Sequence, residues 1–135
     1  MPDRYSVELS ETAQKVYGRM FEEAHACIEA GNETNSKVTR FRMVDEALDK
    51  IIPHDPFARD RALAGPLSGI FRVKKGRIRI CYIASSENQK IIVLYISDTL
   101  RKSGDANDPY NVFSRLLRAG KFDSLLKKIR MPRTP

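Results

Sequence analysis

Between Phe71 and Tyr82 the chain carries five basic residues, Arg72, Lys74, Lys75, Arg77 and Arg79, and no acidic one. Their spacing decides what they can do together. In a pair of strands, successive side chains alternate between faces. Arg72 and Lys74 then share one face while Phe71 and Val73 share the other. Past a tight turn at Lys75-Gly76, Arg77 and Arg79 oppose Ile78 and Ile80. One face of such a hairpin is core and the other is a cationic platform. A solvated sheet face is also polar, but it usually mixes signs, because like charges on adjacent strands repel. A platform of one sign is best explained by an anion that meets it.

Other residue types offer less. His25 lies within a helical pattern and His54 in a connecting segment, both away from the basic strands. Cys27 and Cys81 have neither CxxC spacing nor clustered histidines, so a zinc site is excluded and a disulfide framework is not expected. Asp98, Asp105 and Asp108 surround Asn107 and read as turn and cap residues rather than magnesium ligands. Gly65, Gly69 and Gly76 lack the spacing of a phosphate-binding loop. Ser85-Ser86 has no partner base. No metal and no cofactor are expected.

The elements that must position the platform follow from hydrophobic period. Tyr5 to Leu9 alternates like a half-buried strand. From Ser10, a residue type favoured as N-cap, apolar positions at Ala13, Val16, Tyr17, Met20, Phe21, Ala24 and Ile28 form one helical core stripe that Gly31 stops. After a polar turn, Val38, Phe41, Val44, Leu48 and Ile51 mark a second helix ended by Pro53. Residues 55–59 have room for one helical turn before Gly65-Pro66 breaks it. Strands are expected over residues 69–74 and 77–83. The charge-free, β-branched run 91–96 should be the most buried strand. Asp108-Pro109 reads as an N-cap with proline at the first helical position, and Val112, Phe113, Leu116 and Leu117 as the apolar face of that helix. Gly120 ends it, and Phe122, Leu125, Leu126 and Ile129 suggest one more short helix. The order is β-α-α-β-β-β-α-α.

With 135 residues, 41% hydrophobic and 30% charged, the chain has the length and composition of one soluble domain spanning residues 1–135. No apolar run approaches the ~20 residues that a bilayer span needs. The opening residues lack a signal-peptide core, so no membrane association and a cytoplasmic location are expected. Charge is unevenly spread. Residues 1–64 hold 9 Lys/Arg against 12 Asp/Glu, a net of −3, whereas residues 65–135 hold 15 against 5, a net of +10. The basic half points to nucleic acid or an acidic protein partner.

In this order, Leu63-Ala64-Gly65-Pro66-Leu67-Ser68-Gly69-Ile70-Phe71-Arg72-Val73-Lys74, then Arg77-Ile78-Arg79-Ile80-Cys81-Tyr82, then the run 91–96 followed by Arg101 resembles the central signature of RelE/ParE-superfamily toxins. The likeness covers most of residues 5–118. The segment Asp108-Pro109-Tyr110-Asn111-Val112-Phe113-Ser114-Arg115-Leu116-Leu117 is also similar to the C-terminal helix of the YhaV-like branch. The resemblance implies a RelE-like α+β fold: a mixed, mainly antiparallel four-stranded sheet, an N-terminal helical hairpin on one face and a C-terminal helix. It implies the toxin of a type II toxin–antitoxin module, with a cognate antitoxin as partner. The activity would be either mRNA cleavage, with or without the ribosome, or ParE-like inhibition of DNA gyrase without nuclease activity. Arg72, Lys74, Arg79 and Arg101 fall where the ribonuclease members carry basic site residues, and Tyr110 corresponds to their C-terminal tyrosine. Two departures stand out. The first basic position is Arg rather than Lys, and Asp105 and Asp108 bring negative charge close to Tyr110.

RNA cleavage by 2′-hydroxyl attack needs a base, charge stabilisation for the crowded phosphate and an acid for the leaving oxygen. Arginine stays protonated and cannot be the base. Lys74, with Lys75 as fallback, is the group that can release its proton when crowded by Arg72, Arg79 and Arg101, while the arginines clamp phosphate. Lys75, Arg77 and Lys102 add RNA-binding charge. Tyr110 can stack on a base or close a helix turn. The density of this clamp argues against the gyrase reading. A catalytically degenerate RNA-binding protein would use the same residues.

Overall fold

The structure is a computed structural model that describes residues 5–99, 105, 106 and 108–130, with the side chains of all of these except residues 66, 129 and 130. Strand β1 (Ser6–Leu9) leads directly into helix α1 (Glu11–Glu29). Ser10 makes that corner. Its Oγ accepts from the Ala13 amide at 3.0 Å and donates to the Leu94 carbonyl at 2.6 Å, so one hydroxyl both caps the helix and ties it to the sheet. Gly31, at φ 80°, supplies the left-handed step after the helix.

Helix α2 (Ser36–Glu46) packs against α1 to form the expected hairpin. It does not end ahead of Pro53. A π turn (Ala47–Ile51) carries it into the short α3 (Ile52–His54), with Pro53 buried inside that last turn. Proline has no N–H to give, and its ring presses on the carbonyl one turn back. The wider turn immediately before it, where the Ile52 amide reaches the Ala47 carbonyl, relieves that conflict. The following segment forms two 3-10 turns, Arg59–Arg61 and Gly65–Leu67, rather than one turn over residues 55–59.

Strands β2 (Phe71–Lys75), β3 (Ile78–Ser85) and β4 (Lys90–Ser97) complete a sheet of order β1-β4-β3-β2, with β1 parallel to β4 and the other pairs antiparallel. The β2–β3 turn is Gly76-Arg77, one residue later than the sequence suggests. Gly76 takes φ 56° as the first central residue of a two-residue hairpin loop, the position where glycine is favoured. Arg77 therefore belongs to the turn and not to the platform. A bulge opposite Cys81 and Tyr82 inserts Leu94, so Leu94 and Tyr95 face the same side.

Both faces of the sheet are covered. On one, Met20, Val44 and Ile52 of the helical hairpin and its continuation pack against Val73, Ile80 and Val93. On the other, helix α4 (Pro109–Arg118) brings Phe113, and the turn before helix α5 (Asp123–Arg130) brings Phe122, into one cluster with Ile83, Ile92 and Leu94. This double cover explains why residues 91–97 are all buried. Phe21 departs from the expected core stripe: it is 49% exposed, stacked on His25 and set edge-on to Phe41. Among the described residues no helix is long and apolar enough to cross a membrane.

Candidate active site

On the α4 side of the sheet the strands change character along their length. β3 presents Ile83, then Cys81, then Arg79, and β4 presents Leu94 and Tyr95, then Ser97. Apolar packing gives way to polar groups at the end nearest the β2–β3 turn. The pairing register sets these groups in two rows. Lys74 lies opposite Arg79, which lies opposite Ser97; Arg72 lies opposite Cys81, which lies opposite Tyr95. Arg72, Lys74 and Arg79 thus share one face, as the period of two requires.

Arg79 is buried, with 6% of its surface exposed. Its Nη1 donates to the Gly76 carbonyl at 2.6 Å and to the Ile78 carbonyl at 3.0 Å, which pins the guanidinium against the hairpin turn. Arg72 Nη1 donates to the Tyr110 hydroxyl at 3.2 Å, joining β2 to the first turn of α4. That turn is held by Asp108, the N-cap, whose carboxylate accepts from the Tyr110 amide at 3.1 Å. The Nε groups of Arg72 and Arg79 are both buried without a hydrogen-bond partner among the described residues. Two desolvated guanidinium donors on one face are costly unless an anion completes them.

Between these arginines sits the Cys81 thiol. Burial pushes its pKa up to about 12, against the opposing pull of Arg72 and Arg79. It is therefore a neutral filler that leaves the positive field intact. Burial likewise raises Tyr95, with a hydrogen bond to Ser97 opposing the shift, and its ring stacks on Phe113 at 5.5 Å between centroids.

The other expected site residues divide clearly. Lys74 is exposed at the mouth of the platform. Lys75 is exposed too, but its strand parity turns it away from Arg72 and Lys74, and Arg77 is an exposed turn residue. Arg101 and Lys102 lie outside the described residues. His25 stacks on Phe21 in α1 and pairs with Glu29 at 3.4 Å, and His54 is exposed. Asp98 pairs with Arg19 at 2.9 Å. No cluster of three or more His, Cys, Asp or Glu able to hold a metal occurs among the described residues.

Sequence reasoning missed Arg61, which reaches the edge of β2 from the 3-10 turn before it. With Asp60, Arg72, Lys74 and Lys75 it lines a groove of about 220 Å³. It also missed the supporting roles of Cys81, Tyr95 and Ser97, which only the cross-strand register brings together.

The arrangement suits a phosphodiester: fixed guanidinium donors, a solvent-accessible amine and a phenol lie along one polar edge. Comparison with known proteins identifies the fold and the family. The chain resembles, at 16% identity and TM-score 0.52, the isolated RelE toxin of E. coli, over 85% of this chain and 97% of that one. It resembles the toxin–antitoxin complex RelBE2 of Mycobacterium tuberculosis at 17% identity and TM-score 0.51, over 70% of this chain and 90% of that one. Among curated proteins none matches the chain. A family model described as a toxin with endonuclease activity, of toxin–antitoxin systems, matches residues 8–131. With that match spanning nearly the whole sequence and a RelE-like fold beneath it, the chain belongs to the YhaV family of endonuclease toxins from toxin–antitoxin systems.

Proposed function

We propose that the endonuclease acts on RNA, cleaving mRNA at the translating ribosome, through a metal-independent site built on Lys74, Arg72, Arg79 and Tyr110. The reading rests on the buried Nε donors of Arg72 and Arg79, which have no hydrogen-bond partner among the described residues and flank one face beside Lys74. In this mechanism the Lys74 amine takes the 2′-hydroxyl proton and the 2′-oxygen attacks the adjacent phosphorus. Arg72 and Arg79 hold the non-bridging oxygens as charge accumulates there. The bond from phosphorus to the 5′-oxygen breaks, and Tyr110 donates a proton to that oxygen, leaving a 2′,3′-cyclic phosphate and a 5′-hydroxyl. Arg101 and Lys102, in the segment that follows β4, add charge to the phosphate clamp. Arg77 contributes to RNA binding from the turn. The whole chain, residues 1–135, acts as one RelE-like toxin domain in the cytoplasm. Endonuclease activity as the family's property leaves the gyrase-inhibitor reading without support.

Lys74→Arg is the sharp test, because it keeps the charge and cannot deprotonate. It should bind RNA or ribosomes like the parent and cut about 10²–10⁴-fold more slowly, the usual worth of a general base. Cleavage at the parent rate would make Lys74 a clamp only and move the base to Tyr110. Absence of cleavage in the parent, with RNA binding retained, would mark a degenerate member.

The same reading extends to the antitoxin. An acidic, largely disordered segment that folds onto the basic half would cover the platform and silence it.

A further inference from the structure

The groove at the edge of β2 is separate from the two-row platform yet shares a wall with it. Arg72 and Lys74 form that wall, Lys75 extends it around the edge of the sheet, and Arg61 closes it from the preceding 3-10 turn, with Asp60 the single acidic lining residue among the described residues. Four cations against one carboxylate give the groove a strong positive field. At about 220 Å³ it falls below the ~300 Å³ at which sites for drug-sized ligands begin. No aromatic ring lines it, so it has nothing on which a base can stack. These features suit the backbone of a nucleic acid and not its bases.

Charge on an edge strand has another use, since outward lysines discourage pairing with a second sheet. That accounts for Lys74 and Lys75 but not for Arg61. Arg61 belongs to a different segment and is tied down without any ligand: its Nη1 donates to the Asp55 carbonyl at 2.6 Å. A preformed cation facing two lysines and Arg72 across a small polar groove loses little side-chain entropy when it takes an anion.

We infer that this groove is a second phosphate subsite, which holds the backbone phosphate of a nucleotide flanking the cleaved bond. It builds on the proposed RNA-directed function, with Arg72 and Lys74 common to both sites. A strand leaving the platform passes Arg72 and enters the groove between Arg61 and Lys75. The subsite adds affinity for extended single strands without sequence preference.

The test uses the full chain and a fluorescein-labelled 2′-O-methyl RNA octamer, which has no 2′-hydroxyl to attack. Arg61→Gln and, separately, Lys75→Gln should each weaken octamer binding about three- to tenfold, uniformly across octamer sequences, and flatten the dependence of log K on log salt by about 0.7. Lys121→Gln removes an exposed cation between α4 and α5 and should leave both quantities unchanged. Lys75→Gln keeps the test decisive if Arg61→Gln alters folding. Equal losses in all three variants, or no loss in the first two, would overturn the subsite, as would an octamer that fails to bind the parent. Cleavage of mRNA on translating ribosomes is scored in parallel. Groove-dependent binding without cleavage keeps the subsite and rejects the nuclease mechanism, whereas cleavage with binding indifferent to Arg61 and Lys75 rejects the subsite alone.

Discussion

At the scale of single residues, Cys81 shows how the platform stays positive. An acidic residue opposite Arg72 and beside Arg79 would neutralise both, and a larger apolar one would have to displace the guanidinium groups. A buried thiol, 1% exposed with its pKa pushed up to about 12, does neither. Its state has a chemical consequence, because only the thiolate reacts with alkylating agents. At neutral pH the folded protein should take up iodoacetamide once, at the half-buried Cys27, and twice after unfolding in guanidinium. Mass spectrometry of tryptic peptides distinguishes the two. Rapid modification of Cys81 in the folded chain would contradict the packed arrangement of Arg72, Cys81 and Arg79.

At the scale of elements, Glu8 links three of them. Its carboxylate on β1 faces Lys90 of β4 at 3.2 Å and Lys128 of α5 at 3.4 Å. The Lys90 hydrogen bond, aided by Lys128 and opposed by burial, holds its pKa below the ordinary 4.5. A depressed carboxylate pKa favours the fold above the ordinary value, and the benefit disappears as pH falls through the folded value. The side chain is 38% exposed, so solvent screening limits the benefit to a few tenths of a kcal/mol. The melting temperature of the parent should exceed that of Glu8→Gln slightly at about pH 6, with the gap shrinking as pH falls below the ordinary 4.5 and narrowing in high salt. An unchanged gap at low pH would assign the difference to packing. Elements with long, regular patterns were legible from sequence: α1 from Ser10 to Gly31, and β4 as the buried run. The period of two also placed Arg72, Lys74 and Arg79 together, which is most of the described site. What local pattern could not carry was long-range or depended on one residue. Pro53 reads as a helix end unless a π turn precedes it. Moving the turn from Lys75-Gly76 to Gly76-Arg77 depends only on which loop position takes the positive φ. Arg61 is placed by a bond to the Asp55 carbonyl and by the 3-10 turn that carries it to the edge of β2, an arrangement that the run of residues 55–61 does not announce.

At the scale of the whole molecule, charge and architecture coincide. Residues 1–64, with a net charge of −3, build β1, the helical hairpin and most of the connection to β2, whereas residues 65–135, with +10, contain β2, β3, β4, α4 and α5 and hence the platform. The hairpin covers one face of the sheet, and among the described residues α4 and α5 cover the apolar part of the other, with Lys74 and Lys75 exposed at its cationic end. A partner that silences an endonuclease of this build gains most of its association rate and specificity by matching that field. An acidic antitoxin segment seated there should bind with an affinity that falls steeply as salt rises past physiological strength, where the Debye length is about 8 Å. Lys74→Gln and Lys75→Gln should each weaken the complex and reduce its salt dependence, and hydrogen exchange should slow in residues 71–82 on binding. Titration calorimetry of the toxin with its antitoxin at two salt concentrations measures the first pair of effects. An antitoxin that grips only the hairpin of residues 11–51 would give the opposite pattern: affinity indifferent to salt and to both lysines, protection confined to α1 and α2, and an Arg79 side still accessible to RNA in the complex.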